Sequence, residues 1–365
     1  MFWICCLWLV TQPRIIETEL FHPLAPGEVQ VSADGQIFIL NFSEGVITRY
    51  GSGGEKVNTI GFKGEGPGGL IEPDAFFLEG ARVFVLDKRD SAIEIFDFDG
   101  TFKNQVPLPH RKITLAKVIG GWVIGDWETR DDDQPPEIFL TGESFQNPKK
   151  VHTLSTRGKY QGLYTRGTPG KFSHVFVPVT TEPKMLVNPQ GTQVFIAESD
   201  SAKITRITVA DGTVTTIETG LSAIPFDREW AESRLDLYLG NMREKISKSH
   251  VNMLAPDYFP RIRNLKMTPR GYLAITRWAG NPGVQIPLIA WDLERNGKVQ
   301  DYNRTWAQLS RVIAVNGQTA FISDFDSEAE IARVVCLPVS NMWQYLDANP
   351  IVFRGMTVRT LGSDY

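Results

Sequence analysis

The segment Gly64-Glu65-Gly66-Pro67-Gly68-Gly69-Leu70-Ile71-Glu72-Pro73 is followed by Val83-Phe84-Val85-Leu86-Asp87 and then by Ile93-Glu94-Ile95-Phe96-Asp97-Phe98-Asp99-Gly100. Short runs rich in β-branched and aromatic residues, bounded by turn formers, read as strands, and Asp-Gly is a hairpin signal. The stretch is therefore a glycine-rich connector, a short inner strand, a strand ending in an acid, a further strand and a turn. A sheet this small is not stable by itself. A chain that contains one must cover it with neighbours of the same kind, so the unit has to recur.

It does recur. Ile37 and Ile47 stand ten positions apart with Asn41 four after the first, Val83 and Ile93 repeat the spacing with Asp87, and Val194 and Ile204 repeat it with Glu198. Asp34-Gly35, Asp99-Gly100 and Asp211-Gly212 supply the turns. Gly121-Trp122-Val123-Ile124-Gly125-Asp126, Tyr272-Leu273-Ala274-Ile275-Thr276-Arg277 and Ala320-Phe321-Ile322-Ser323-Asp324 give three weaker copies. Strands thus begin near 37, 83, 122, 194, 272 and 320, which makes six units. Six small sheets set about one axis are an all-β, six-bladed β-propeller. Arg14 to Leu20 alternates in polarity and is expected to supply the outermost strand of the C-terminal blade, so that no edge stays open. The tail from Trp343 to Tyr365 competes for that place.

The expected organisation is a single propeller over 13–365 with two insertions, at about 128–182 and 221–260. The first carries the outer strands of the third unit, Glu137 to Leu140 and Val151 to Leu154, and otherwise reads as an extended loop. In the second, Asp227 to Ser249 reads as a helix. Asp227 caps its start, Lys245 and Lys248 lie near its end, and Trp230, Leu235, Tyr238, Leu239, Met242 and Ile246 form its apolar stripe. A rim-packing helix and a lid or docking element both fit that pattern.

With 38 basic against 42 acidic residues the net charge is −4, and nothing suggests nucleic acid as a partner. Three cysteines, two of them adjacent at Cys5 and Cys6, exclude a disulfide scaffold. The apolar run Phe2 to Val10 is too short to cross a bilayer. Residues 1–12 read either as a remnant of an export signal or as a buried N-terminal segment or start-site artefact. The first makes the protein exported, periplasmic or at the cell surface; the second makes it cytoplasmic.

The Gly-Glu-Gly-Pro-Gly-Gly connector, Val83 to Asp87 and Ile93 to Gly100 resemble the NHL-repeat and TolB-like six-bladed bacterial propellers. The resemblance is strongest over 27–107 and 183–218. It implies a fold more than a function, because such propellers include binding scaffolds for proteins and ligands together with metal-assisted lactonases, lyases and esterases. Fold does not choose between them.

No nucleophile elbow, zinc-protease motif or phosphate-binding loop occurs in the chain. The five histidines lie far apart in sequence. Two sets of polar residues remain. Asn41, Asp87, Asp126, Glu198 and Asp324 end equivalent strands, with Thr276 or Arg277 at the same place in the fifth unit. Oxygen donors arranged in that way suit a hard cation such as Ca²⁺. Equally, such side chains accept backbone N–H bonds and fix the adjacent turn. Glu72, Asp74, Glu182 and Arg261 open innermost strands and are candidates for binding a small polar ligand at the channel mouth. The leading expectation is a monomeric, non-catalytic scaffold for a protein or small polar ligand, held over the central channel or on the insert-bearing rim, without a cofactor. The alternative is a hydrolase or lyase using Ca²⁺ or Zn²⁺ in the channel.

Overall fold

A computed structural model describes residues 13–18, 28–108, 113–126, 135–145, 147–154, 160–165, 174–180, 183–198, 201–227, 251–254, 257–259, 261–277, 288–299, 302, 304–326, 328–329 and 331–349. The protein is a six-bladed β-propeller. The chain divides into two compact units, Met1–Pro109 with Ala307–Met356, and His110–Trp306 with Thr357–Tyr365. Each unit holds three four-stranded antiparallel blades.

In the first unit, blade 1 is β2 (Val29–Val31), β3 (Ile37–Asn41), β4 (Val46–Tyr50) and β5 (Lys56–Ile60). Blade 2 is β8 (Pro73–Glu79), β9 (Arg82–Asp87), β10 (Ala92–Asp97) and β11 (Phe102–Pro107). Blade 6 is β29 (Val312–Asn316), β30 (Thr319–Asp326), β31 (Ile331–Pro338) and, as its outermost strand, β1 (Arg14–Glu17). The register of that last pair runs from Arg14 opposite Cys336 to Glu17 opposite Arg333. The N-terminal segment therefore takes the closing place. After the short helix α1 (Trp306–Ser310), the competing tail instead begins with the helix α2 (Met342–Ala348), which packs Met342 and Leu346 onto blade 6.

In the second unit, blade 3 is β12 (Ile113–Val118), β13 (Gly121–Asp126), β14 (Glu137–Gly142) and β15 (Lys149–Thr153). Blade 4 is β18 (Lys184–Val187), β19 (Gln193–Ala197), β20 (Lys203–Thr208) and β21 (Val214–Glu218). Blade 5 is β25 (Asn264–Met267), β26 (Leu273–Thr276), β27 (Leu288–Asp292) and β28 (Gly297–Lys298).

The near-continuous apolar runs of the second strands follow from burial on both faces, because successive side chains point to opposite sides of a sheet. In β3, Ile37 and Ile39 join Ile16, Phe321, Val334 and Cys336 of blade 6. Their neighbours Phe38 and Leu40 join Phe76, Val83, Val85 and Phe96 of blade 2. β19 divides likewise: Val194 and Ile196 meet blade 3, while Phe195 and Ala197 meet blade 5. Each such side chain contributes about 1.5–3 kcal/mol, and the contribution requires the neighbouring blade to be present.

The glycine-rich connector precedes blade 2. β6 (Phe62–Lys63) pairs in parallel with β7 (Gly69–Leu70), and the Gly69 N–H closes a tight turn onto the Gly66 carbonyl at 2.9 Å. Gly66 has φ +100°, and a Cβ at Gly69 would lie 2.2 Å from the Gly64 oxygen. Glycine is needed at both places. The turn delivers Leu70 into the blade 1–blade 2 core, fully buried.

The first insertion differs from its sequence reading. Beyond the outer strands of blade 3 it contains β16 (Tyr160–Thr165) and β17 (His174–Thr180). These form a three-stranded sheet with β23 (Val251–Leu254), which belongs to the second insertion. An extended loop is thus replaced by a sheet that joins the two insertions. The expected helix over Asp227 to Ser249 lies outside the described residues except for Asp227 itself.

Candidate functional site

Among the described strand-end residues, Asn41, Asp87, Thr276 and Asp324 have side-chain oxygens already engaged within the protein. Asn41 ends β3, and its Oδ1 accepts from the Ser43 amide at 3.1 Å, the Ser43 hydroxyl at 2.7 Å and the Glu44 amide at 3.2 Å. Asp87 ends β9 with no exposed surface. Its carboxylate accepts from the amides of Ile71 at 2.6 Å, Glu72 at 3.2 Å, Arg89 at 3.0 Å and Asp90 at 3.4 Å. The first two donors belong to the connector and the last two to the β9–β10 turn, so one carboxylate ties both to the blade. Thr276 is buried at the end of β26 and its hydroxyl oxygen accepts from the Asn264 amide at 3.1 Å. Arg277, next along, donates to the Ser222 carbonyl.

Asp324 lies within β30 and is paired with a cation. Arg311 donates to its Oδ1 at 2.6 Å and the Tyr345 hydroxyl to its Oδ2 at 2.9 Å. Glu198 is buried just past β19 and acts electrostatically on His152. Burial lowers the His152 pKa, and Glu198 opposes that shift. Asp126 ends β13, with its side chain outside the described residues. Among the described residues no three His, Cys, Asp or Glu side chains converge as a metal-binding group.

The described members of the channel-mouth set each have partners of their own. Glu72 is exposed, and its backbone joins the Asp87 network. Asp74 pairs with Lys88 at 2.6 Å, both about 40% exposed, a contact worth at most about 1 kcal/mol. Arg261, in the second unit, donates to the Leu221 carbonyl at 3.4 Å. Glu182 lies outside the described residues.

Glu94 was not singled out by the sequence reading. It sits in the middle of β10, opposite Val85 and Gln105, and is 1% exposed. Gln105 Nε2 donates to its Oε1 at 2.6 Å, while among the described residues Oε2 has no hydrogen-bond partner. Burial pushes the carboxyl from 4.5 up to about 7, the Gln105 bond opposes the shift, and Asp90 and Asp87 add repulsion. The only warning in the sequence is a charged residue inside the apolar run Ile93-Glu94-Ile95. Another group of this kind is Lys266 on β25, whose ammonium burial lowers to about 8.

A carboxyl with a raised folded-state pKa stabilises the fold fully below its unfolded pKa, and that contribution is lost as pH rises through the folded value. Stability should therefore fall between about pH 4.5 and about pH 7, by no more than about 3 kcal/mol. Glu94→Gln keeps the acceptor for Gln105 and removes the charge. It is expected to be about 1–3 kcal/mol more stable than the parent at pH 8, with urea midpoints flat across this window. An unchanged pH slope in the variant would refute the assignment.

No family model matches the chain, and no curated protein matches it. Solved structures do. A member of the DUF4221 family from Bacteroides vulgatus is 9% identical, with 90% of this chain and 96% of that one covered, at a TM-score of 0.51. A Bacteroides fragilis protein provisionally described as exported is 13% identical over 89% and 94% of the two chains, at 0.49. Virginiamycin B lyase from Staphylococcus aureus is 14% identical over 89% and 100%, at 0.40. At these identities the first likeness speaks to the fold alone, and the other two carry no argument about function.

Proposed function

We propose that the chain is a non-catalytic binding scaffold for a protein or a small polar ligand. The observation that supports this reading is the engagement of the strand-end oxygens. Asn41 and Asp87 satisfy turn and connector amides, Thr276 caps the start of β25, and Asp324 neutralises Arg311. A cation needs six to eight oxygens when it is Ca²⁺, and stripping them from buried amides costs about 1–3 kcal/mol for each group left unpaired. In the first unit, Glu72 and the Asp74–Lys88 pair remain as exposed polar groups for contact with a ligand. In the second unit Arg261, part-buried and donating to the Leu221 carbonyl, is the corresponding polar group.

A ligand that prefers the native state must raise its stability, by about 2.7 kcal/mol at a hundredfold excess over Kd. The melting temperature of the purified protein should stay unchanged on adding Ca²⁺, Zn²⁺ or a chelator, and metal analysis should find none at stoichiometric level. A metal-dependent rise in melting temperature would transfer support to the hydrolase or lyase reading. Export is part of the proposal and rests on the apolar run Phe2 to Val10, which lies outside the described residues. Among those residues no helix is long and apolar enough to cross a membrane.

A further inference from the structure

The closing strand leaves an unusual arginine behind. Arg14 and Ile16 lie on the side of β1 that faces blade 1, and Ile16 is 3% exposed in the shared core. Arg14 therefore points its guanidinium inward. Among the described residues its one acceptor is the sulfur of Cys336 at 3.3 Å, and its buried Nε has no hydrogen-bond partner there. A thiol is a weak acceptor. Burial also pushes the Cys336 pKa up, so the sulfur stays protonated and offers no counter-charge. A half-buried guanidinium whose partner is neutral is electrostatically incomplete.

The arginine borders a cleft of about 590 Å³ between blades 6 and 1, within the range of small-molecule sites. Pro338 of blade 6 supplies part-exposed apolar lining, and Phe321 lies buried behind it. The β2–β3 turn of blade 1 forms the opposite side and carries Asp34. That carboxylate is exposed, is held in place by the Ser32 hydroxyl and the Gln36 amide, and has its pKa lowered, chiefly by the Ser32 bond. Asn316 of β29 donates to the Ser32 and Ala33 carbonyls at 3.1 and 2.9 Å. This clamp fixes the two walls against each other, so the cleft is preformed and little ordering cost is left for binding.

We propose that this cleft binds a small amino carboxylate with an apolar side group. The carboxylate meets the Arg14 guanidinium, whose planar fork suits a bidentate oxyanion. The ammonium group faces Asp34, and the apolar group lies against Pro338 and Ala33. Asp34 also argues against phosphate, since one guanidinium facing a fixed carboxylate disfavours a dianion. The inference goes beyond the scaffold reading and involves none of its metal or channel-mouth residues.

The experiment titrates the full chain with L-phenylalanine, 3-phenylpropanoate, phenethylamine and inorganic phosphate, each up to about 10 mM, following heat of binding and melting temperature. Phenylalanine should bind, 3-phenylpropanoate about tenfold more weakly, and the other two should not bind. Arg14→Gln should weaken phenylalanine binding at least about tenfold, with Arg14→Lys intermediate. Asp34→Asn, in an exposed turn where folding is not at stake, should weaken phenylalanine but leave 3-phenylpropanoate unchanged. Failure of all four probes overturns the proposal. So does phosphate or phenethylamine binding as well as phenylalanine, or Asp34→Asn and a folded Arg14→Gln both binding like the parent. None of these outcomes alters the response to Ca²⁺, so the scaffold reading is tested separately.

Discussion

Asp87→Ala should lower the stability of the first unit by about 3–5 kcal/mol. Four backbone amides, from Ile71, Glu72, Arg89 and Asp90, donate to this one carboxylate, which has no exposed surface. Alanine leaves donors buried without acceptors, at a cost of about 1–3 kcal/mol for a typical group. The damage should extend beyond the β9–β10 turn, because Ile71 and Glu72 belong to the connector that seats Leu70 between blades 1 and 2. Hydrogen exchange should show the amides of Ile71 and Arg89 losing protection together, and urea unfolding should show a lower midpoint. Asp87→Asn retains one acceptor oxygen and should fall about halfway. If Asp87 were instead a Ca²⁺ ligand, the asparagine variant would unfold like the parent in chelator and lose only a calcium-dependent gain. A parent-like midpoint for Asp87→Ala would refute the capping role.

That carboxylate illustrates which parts of the molecule could be read from the chain. The repeat was legible because a blade buries both faces, so its second strand must be apolar without alternation and must stop at a turn former. Ile37, Val83, Trp122, Val194, Tyr272 and Ala320 mark β3, β9, β13, β19, β26 and β30 to within one residue. Closure by Arg14–Glu17 was legible for the related reason that an open β31 edge needs a partner. The sheet of β16, β17 and β23 was not. Tyr160-Gln161-Gly162-Leu163 carries a glycine and little alternation, β17 contains Pro178, and the partner strand begins only at Val251. Nothing local specifies such a pairing, which depends on loop closure over a long separation.

The polar positions were legible as positions but not as roles. Identical offsets placed Asn41, Asp87 and Asp324 at matching points, yet the first caps a turn, the second ties a connector and the third holds an arginine. What distinguishes them is the neighbour that arrives from elsewhere in the chain. Glu94 and Arg14 were missed for the same reason, since burial of a charge is a property of the covering blade and leaves little trace in its own strand.

The arginine held by Asp324 should prove nearly as costly to remove as Asp87. Arg311 is 8% exposed. Its Nε donates to the Ser323 carbonyl at 3.0 Å, its remaining nitrogens reach the Asn349 carbonyl and Asp324, and Tyr345 completes the group through its hydroxyl. Burial lowers the Arg311 pKa and Asp324 resists that shift. Burial raises the Tyr345 pKa, and Asp324 adds to the rise. The network joins the start of β29 to both β30 and the end of α2, so it fixes the helix that packs on the face of blade 6 turned away from blade 1. Arg311→Met should cost about 3–5 kcal/mol, because it strands the Asp324 carboxylate in a site built for a cation. The loss should therefore depend on the carboxylate and not on the arginine's packing. Combining Arg311→Met with Asp324→Asn, which keeps an acceptor for Tyr345 and removes the charge, should recover at least about half of it. Amide exchange along Met342–Ala348 and the emission of Trp343 should report helix α2 loosening in the single variant and reseating in the double. If the double variant is instead as unstable as the sum of the two singles, the carboxylate is not what penalises the loss of Arg311, and the pair contributes by packing alone.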